Sequence, residues 1–191
     1  NGIDEKSVQI AHSFPVKTDK RIVMTIARIS PPKKIQMFLD VAEKLHDYQF
    51  IWFGGSPEYS TDELFSIYKI PENVNILGDV PNASSYIHFC DLFVLFSNFE
   101  GLPMTIIEAM SQKKAIVASN VGGIYELVDD SNGCLIENDV DSACNAIKKI
   151  LEDSELRKSM EEKSYEKFKN NFTLEKMWTG YKSIYEKLNK K

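Results

Sequence analysis

Short apolar runs rich in β-branched residues alternate with segments of helical periodicity along most of this chain. The strand candidates are residues 22–27, 50–53, 74–77, 92–96, 115–119 and 134–136. The helix candidates between them are residues 35–45, 62–68, 83–89, 104–113 and 123–128. Strands that are separated by helices pair in parallel, and the helices cover the sheet. The sequence therefore predicts an α/β fold with one parallel sheet and helices on both of its faces.

The strand candidates end before Val140, and the rest of the chain predicts three helices at residues 141–151, 154–170 and 173–188. Thr173 is the expected N-cap of the last helix. Apolar residues follow one another in this helix at intervals of three or four, at Leu174, Met177, Trp178, Tyr181, Ile184, Tyr185 and Leu188. Such spacing makes one continuous apolar face. The helix is therefore expected to pack on an apolar surface, either of this domain or of a partner domain.

Size and charge limit the functions that are open to this chain. Its 191 residues are enough for one α/β domain with a helical extension. The net charge of −5 argues against nucleic-acid binding, because no basic excess is present to meet phosphate groups. No apolar run approaches the roughly 20 residues of a membrane-spanning helix. The three cysteines are scattered without metal-ligand spacing, which indicates reduced thiols, and the three histidines form no catalytic or metal-binding pattern.

Residues 97–110, SNFEGLPMTIIEAM, are the most informative segment of the chain. They follow the fourth strand candidate, Gly101 and Pro103 interrupt the chain, and a helical pattern then begins. This order places free backbone N–H groups and the positive end of a helix at the carboxyl edge of the sheet. Phosphate-bearing ligands bind at that edge of open α/β sheets. Two carboxylates, Glu100 and Glu108, flank the turn.

This segment resembles the E-x7-E motif of family 4 retaining glycosyltransferases, which have the GT-B fold. The resemblance implies a Rossmann-like domain that forms the carboxyl-terminal, donor-binding half of such an enzyme. It makes Glu100 the candidate catalytic residue, close to the donor sugar, and Glu108 the residue that binds the ribose hydroxyls. It further implies that the donor diphosphate lies against the backbone of Gly101, Leu102, Pro103, Met104 and Thr105. The alternative is a purely structural pair of glutamates.

The end of the first strand candidate resembles a second motif of the same family. Residues 26–34, IARISPPKK, match G-R-x-x-x-x-K-G at Arg28 and Lys33, the positions that hold the donor diphosphate in the family. A guanidinium can bind two phosphate oxygens, and an ammonium adds a point charge. Ala27 and Lys34 stand where the motif has glycine. The sequence therefore leaves open whether Lys33 or Lys34 faces the site.

Two further segments resemble family motifs at the ends of the second and third strand candidates. Residues 53–57, FGGSP, are similar to a G-x-G-P turn, which makes Gly54 and Gly55 weak candidates for backbone contact with the ligand. Residues 76–81, ILGDVP, resemble F-x-G-x-V. This resemblance implies that main-chain groups of Val80 bind the nucleotide base.

Residues 118–128 resemble the V-G-G-x-x-E segment of the family. Gly122 and Gly123 are expected to form the turn before a helix. Glu126 follows them inside that helix, and we expect it to have a structural role rather than a catalytic one.

The resemblance covers almost the whole chain and predicts three parts. Residues 1–20 are expected to be a remnant of an interdomain linker, and residues 21–170 the nucleotide-sugar-binding domain. Residues 171–191 are expected to be a terminal helix that docks on a missing amino-terminal domain. This domain would complete the acceptor side of the cleft, so the isolated chain is expected to bind a nucleotide but to transfer no sugar.

The function that the resemblance implies is transfer of a hexose from a nucleotide-diphosphate sugar to an acceptor with retention of configuration, in polysaccharide or glycolipid synthesis. A UDP-sugar is the favoured donor and a GDP-sugar the alternative, with no cofactor or metal required. The expected partners are the nucleotide sugar and the missing acceptor domain, with no nucleic acid. The expected location is the cytoplasm, including peripheral association with the inner face of a membrane through the missing domain. The alternatives are a non-catalytic sugar-nucleotide-binding module and another GT-B enzyme, such as a sugar-nucleotide epimerase.

Overall fold

The computed structural model describes residues 1–188 and contains a parallel sheet of six strands. The strands are β1 (Ile22–Ile26), β2 (Gln49–Phe53), β3 (Val74–Ile76), β4 (Leu92–Leu95), β5 (Ile116–Ser119) and β6 (Gly133–Ile136). Their order across the sheet is β3-β2-β1-β4-β5-β6, and every pair is parallel. The predicted parallel sheet is confirmed, with each strand within one or two residues of its expected ends.

Six α-helices surround this sheet in the described part of the chain. They are α1 (Ile35–Lys44), α2 (Thr61–Ile67), α3 (Met104–Ser111), α4 (Val140–Glu152), α5 (Ser154–Asn171) and α6 (Leu174–Leu188). None of these helices is long and apolar enough to cross a membrane.

Two segments with a helical pattern, residues 83–89 and 123–128, do not form α-helices. They form 3-10 turns over Ala83–Phe89 and Ile124–Glu126. Both are short connections between a loop and a strand, where the chain winds more tightly because only one or two turns fit. The expectation of a helix after Gly123 was therefore wrong in type, although Gly123 does precede a helical turn.

The strands divide their side chains between two apolar cores, one on each face of the sheet. Val23 and Phe50 point to one face, where they meet Phe38 of α1 and residues of α4. Met24 points to the other face, where it meets Phe168 of α5 and residues of α3. Since neighbouring residues of a strand point to opposite faces, a fully apolar strand needs helices on both sides. This is why the alternating pattern of the sequence produces three layers.

The strand order contains one switch point, between β1 and β4. From β1 the chain passes to β2 and β3 on one side, and it then returns to place β4 on the other side of β1. The connections that follow β1 and β4 therefore diverge and leave a crevice at the carboxyl edge of the sheet. Ligands of open α/β sheets bind at such a crevice. The two segments with the strongest motifs, residues 26–34 and 97–110, both begin at this edge.

The first residues of the chain lie beside the start of α6. Ile3 forms a parallel bridge with Thr173, and its N–H donates to the carbonyl of Phe172 at 2.9 Å. A Cβ at Gly2 would lie 2.5 Å from the Thr173 carbonyl oxygen, so the approach requires glycine there. The Thr173 hydroxyl accepts the N–H of Lys176 at 3.2 Å, which confirms the predicted N-cap.

The apolar face of α6 does not pack on this domain. Leu174, Trp178, Tyr181, Ile184, Tyr185 and Leu188 are exposed, and Met177 is half-buried. Trp178 alone is 67% exposed. The sequence predicted that this helix packs either on its own domain or on a partner domain. The structure shows that its apolar face does not pack on its own domain. Residues 189–191 of the expected terminal segment lie outside the described residues.

The three cysteines are free thiols in this structure. Burial raises the pKa of the Cys90 thiol to about 12. This thiol is therefore protonated and unreactive at neutral pH.

Candidate functional site

A pocket of about 270 Å³ lies at the switch point and joins four of the predicted site residues. Arg28, Gly54, Val80 and Thr105 all line it. Its other lining residues are Ile26, Ala27, Phe53, Asp79 and Ala83. Arg28 is exposed, and within residues 1–188 its guanidinium has no ion-pair or hydrogen-bond partner. The pocket thus has a free cation at one side and backbone of the loop after β3 at the other.

Lys33 and Glu100 form an ion pair between the loops that follow β1 and β4. The Lys33 ammonium donates to Oε1 of Glu100, although the two residues follow different strands. Their loops are joined by a hydrogen bond of 2.8 Å from the Asn98 N–H to the Pro32 carbonyl. Glu100 is 8% exposed. The structure therefore brings the candidate catalytic carboxylate and one candidate phosphate-binding cation into direct contact.

The two adjacent lysines point to different places. Lys33 contacts Glu100, whereas Lys34 lines a separate pocket of about 360 Å³ on the far side of the turn. Lys34 has a positive φ of 41° and precedes α1. Glycine adopts this left-handed conformation most easily, which explains why the motif that this segment resembles has glycine here. Of the two lysines, Lys33 is the one that contacts Glu100.

A buried serine holds Glu100 from the sheet side. The hydroxyl of Ser97, at the end of β4, donates to Oε1 of Glu100 at 2.6 Å. Ser97 has no solvent exposure. Its backbone is in turn bonded to side chains of Ser119 and Asn138. None of these three residues was predicted from the sequence to have a role. The one signal that could have identified Ser97 is its place at the end of a strand, three residues before Glu100.

Gly122 and Gly123 support the backbone of the motif. The N–H of Gly123 donates to the carbonyl of Gly101 at 3.0 Å. A Cβ at Gly122 would lie 1.7 Å from the Glu100 carbonyl oxygen, and one at Gly123 would lie 2.3 Å from that of Gly101. These glycines therefore do more than form a turn, since they allow another loop to press against residues 100–101. Glu126 is exposed in the following 3-10 turn.

The start of α3 leaves donors free beside Glu100. Pro103 occupies the N-cap position, where it gives no side-chain hydrogen bond to the first turn. The N–H groups of Met104 and Thr105 in that turn therefore have no helical partner. Gly101 has nothing within 4 Å of the position that its Cβ would take. This open surface at a helix N-terminus suits an anion.

Glu108 lies one turn after Thr105 and lines a neighbouring pocket of about 230 Å³. The other walls include residues 7–9 of the amino-terminal segment and Asn82. Burial raises the pKa of Glu108 above its ordinary value. Within residues 1–188 no donor contacts its carboxylate. Residues 82–84 separate this pocket from the one that contains Arg28, so Glu108 and Arg28 lie on two sides of one loop.

Gly54 and Gly55 have structural roles in the contacts between neighbouring loops. Gly54 has a φ of +119°, and a Cβ there would lie 2.1 Å from the Ala27 carbonyl oxygen. The N–H of Gly55 donates to the Asp79 carboxylate at 2.8 Å. These contacts fasten the loops after β1, β2 and β3 to each other. The glycines thus shape the pocket whether or not they touch a ligand.

The parallel sheet, its covering helices and the switch point define a Rossmann-like α/β domain. The chain belongs to the glycosyl transferases group 1 family, whose model matches residues 9–167. It is 33% identical over 190 residues to an O-antigen biosynthesis glycosyltransferase of Escherichia coli, covering 96% of this chain and 54% of that protein. The chain thus spans about half the length of the curated relatives that it matches.

Solved structures show the same fold. Sucrose-phosphate synthase of Thermosynechococcus elongatus has a TM-score of 0.85 at 21% identity, over 98% of this chain and 51% of that one. Anabaena HepE in complex with UDP-glucose has a TM-score of 0.83 at 21% identity, over 100% of this chain and 56% of that one. The fold is that of one half of a GT-B glycosyltransferase, as the sequence predicted, and is consistent with the carboxyl-terminal half.

The contact between Gly122 and Glu100 predicts a large difference between two glycine substitutions. Gly122→Ala forces alanine into a φ of 54° and presses its methyl group on the Glu100 carbonyl. We expect it to lower the free energy of unfolding by about 2 kcal/mol or more, measured by urea denaturation. Gly101→Ala is the matched control, because its Cβ has open space. Equal stability of the two variants would show that the close contact has no energetic importance.

Proposed function

We propose that this chain is the donor-binding half of a retaining glycosyltransferase that uses a nucleotide-diphosphate sugar. The observation that carries the proposal is that one edge of the sheet holds both the ion pair of Lys33 with Glu100 and the pocket that Arg28 shares with Thr105 at the free N-terminus of α3. Two cations and a row of backbone donors suit a diphosphate, and a carboxylate next to them suits the attached sugar.

In this proposal the diphosphate lies between Arg28 and the start of α3. The guanidinium, which has no partner within residues 1–188, binds two phosphate oxygens, and Lys33 adds a second positive charge. The backbone of residues 101–105 closes the other side of the phosphates. The diphosphate is also the leaving group, so these groups stabilise charge that grows in the transition state.

The nucleoside extends from the diphosphate toward the loop after β3. Main-chain groups of Val80, which lines the same pocket as Arg28, bind the base. The ribose hydroxyls donate to Glu108. A half-buried carboxylate without a donor within residues 1–188 supports this role, because such a group is stabilised by a ligand that brings hydroxyls.

Glu100 acts on the donor sugar. It orients the ring near the reacting carbon, and the acceptor attacks from the face that the diphosphate leaves. The departing phosphate takes the proton of the acceptor hydroxyl, so no protein nucleophile is required. This course retains the configuration of the sugar, and no metal or other cofactor is part of it.

The donor that we favour is a UDP-sugar, because Anabaena HepE, which shares the fold, was solved with UDP-glucose. A GDP-sugar is the alternative. The similarity to an O-antigen biosynthesis enzyme supports a role in polysaccharide or glycolipid assembly, with a saccharide or lipid-linked acceptor. We propose that the reaction takes place in the cytoplasm, and that any contact with the inner face of a membrane is made by the missing half.

The exposed face of α6 is proposed to dock on an amino-terminal half that completes the cleft. Two facts support this occupant: the chain spans 54% of its Escherichia coli relative, and the pairing of Ile3 with Thr173 brings the first residues to the start of α6. A preceding domain would therefore lie within reach of this helix. Residues 1–20 serve as the linker, and the chain alone binds the donor without transferring its sugar.

Diphosphate recognition is tested by calorimetry with UDP and uridine. Arg28→Ala should weaken UDP binding by about 10- to 150-fold, since a hydrogen bond to a charged group is worth about 1.5–3 kcal/mol. Uridine binding should be unchanged, because the nucleoside does not reach Arg28. Lys33→Ala should act in the same direction, and Lys34→Ala is the matched control that should not. Equal losses for UDP and uridine would contradict the assignment, and GDP in the same series tests the base.

The two glutamates should fail in different ways when each is changed to glutamine. Glu108→Gln should weaken UDP binding by about tenfold, because a charged acceptor of the ribose hydroxyls is lost. Glu100→Gln should leave UDP binding unchanged and, in the complete enzyme, should lower kcat rather than raise KM. Equal losses of UDP affinity at both positions would mean that the two roles are wrongly divided. Normal turnover in the Glu100 variant would contradict its catalytic role.

Docking of α6 is tested with the chain and its amino-terminal half produced separately. Trp178→Ser should weaken their association in analytical ultracentrifugation. The indole is 67% exposed in the free chain, so docking would bury apolar surface that serine does not have. The free chain should keep its stability, since Trp178 contributes little buried area to it. Lys176→Ser changes the opposite face of α6 and should not weaken the association. If neither variant weakens it, α6 is not the docking surface.

A further inference from the structure

We infer that Ser97, held by Asn138, is a positioning residue that fixes Glu100 so that one carboxylate oxygen is presented to a hydroxyl group of the donor sugar. The inference rests on the proposed function, in which Glu100 contacts that sugar. It adds two residues to the site and assigns separate tasks to the two oxygens of Glu100.

The two oxygens of Glu100 have different surroundings. Oε1 accepts hydrogen bonds from both the Lys33 ammonium and the Ser97 hydroxyl, the latter at 2.6 Å. Ser97 must be the donor in this bond, because an ionised carboxylate only accepts. Oε2 has no donor within residues 1–188, yet it is not among the buried atoms without a partner. The carboxylate is thus anchored through one oxygen and open at the other.

Two side chains, Ser119 and Asn138, bond the backbone of Ser97. The N–H of Ser97 donates to the Ser119 hydroxyl at 3.0 Å, and the Ser97 carbonyl accepts from the Asn138 side-chain amide at 2.9 Å. The Ser119 hydroxyl then donates to the Asn138 side-chain oxygen at 2.5 Å. The side chains of Ser119 and Asn138 and the backbone of Ser97 thus connect the carboxyl ends of β4, β5 and β6. The network therefore holds the backbone of Ser97 in place, and Glu100 is the hydrogen-bond partner of the hydroxyl that this backbone carries.

The two donors to Oε1 differ in what they do when a diphosphate binds. The Lys33 ammonium lies at the crevice and is attracted by the phosphates, so its bond to Glu100 weakens when the donor enters. Ser97 is uncharged, fully buried and out of reach of the phosphates. It keeps its bond and holds the carboxylate in place. An accessible anionic oxygen fixed in this way matches a hydroxyl donor, and a sugar ring carries several.

The experiment compares UDP with a UDP-sugar on this chain, by calorimetry. UDP-glucose, UDP-galactose and UDP-N-acetylglucosamine are tried first, and the tightest of them is the probe. Ser97→Ala should leave the Kd for UDP within about twofold and should weaken the UDP-sugar by about tenfold, the effect of a displaced charged hydrogen bond. Ser97→Thr keeps the hydroxyl and should restore the affinity. Ser66→Ala is the matched control, because that hydroxyl donates to the Asp62 carbonyl within α2 and not to Glu100.

A role in folding alone predicts a different result. In that case Ser97→Ala would lower the urea midpoint and weaken both ligands equally, and such a result would overturn the inference. Asn138→Ala does not touch Glu100, so it should reproduce a smaller loss that is also confined to the UDP-sugar. In the Glu100→Gln background, Ser97→Ala should have no additional effect on the UDP-sugar; an additive loss would also overturn the inference. Failure of the unaltered chain to bind UDP would instead refute the proposed function.

Discussion

The ion pair between Lys33 and Glu100 joins the two loops that border the crevice. Lys33 follows β1 and Glu100 follows β4, the two strands on either side of the switch point. A carboxylate that is 8% exposed requires partners, because burial without them is costly. The Lys33 ammonium and the Ser97 hydroxyl meet this requirement. The carboxylate of Glu100, which is the proposed catalytic group, therefore also links the two loops.

Close backbone contacts reinforce this arrangement, and glycines make them feasible. Gly122 and Gly123 lie against the carbonyls of residues 100 and 101, and Gly54 lies against the carbonyl of Ala27. At each of these positions a side chain would collide with main-chain atoms, which cannot move aside. Gly101 differs, since the space above it is empty. The glycines of these motifs therefore have two different roles. Gly54, Gly122 and Gly123 allow close contacts between backbone segments, whereas Gly101 leaves open space above the chain.

The sequence predicted the sheet well because its strands are apolar on both faces and are separated by helices of ordinary length. It also placed Arg28, Val80 and Thr105 together, since residues that follow parallel strands meet at one edge. It missed Asn138, which lies 41 residues from Ser97 and reaches it only because β6 and β4 flank β5. The strand order that brings these two residues together is not visible in local periodicity.

Local sequence periodicity also could not show that the short helical segments form 3-10 turns rather than α-helices. Residues 83–89 have a helical pattern, yet the ends of the segment are fixed by the loop after β3 and by β4, so the chain forms a tighter 3-10 turn. The two lysines at 33 and 34 could not be told apart for a similar reason. Their difference arises from the left-handed conformation of Lys34, which turns the two side chains to opposite sides of the turn.

Three groups that lack partners within residues 1–188 would follow one another along the proposed ligand. Glu108 has a free carboxylate at the nucleoside side, Arg28 a free guanidinium in the middle, and Glu100 a free Oε2 beside the helix N-terminus. A hydroxyl pair, a diphosphate and a second set of hydroxyls would satisfy them in turn, as they occur along a nucleotide sugar. Elsewhere the described chain pairs its buried polar groups with few exceptions. Glu108 and Glu100 are partly or largely buried, and the hydroxyl groups of the proposed ligand would supply the donors that the Glu108 carboxylate and Oε2 of Glu100 lack.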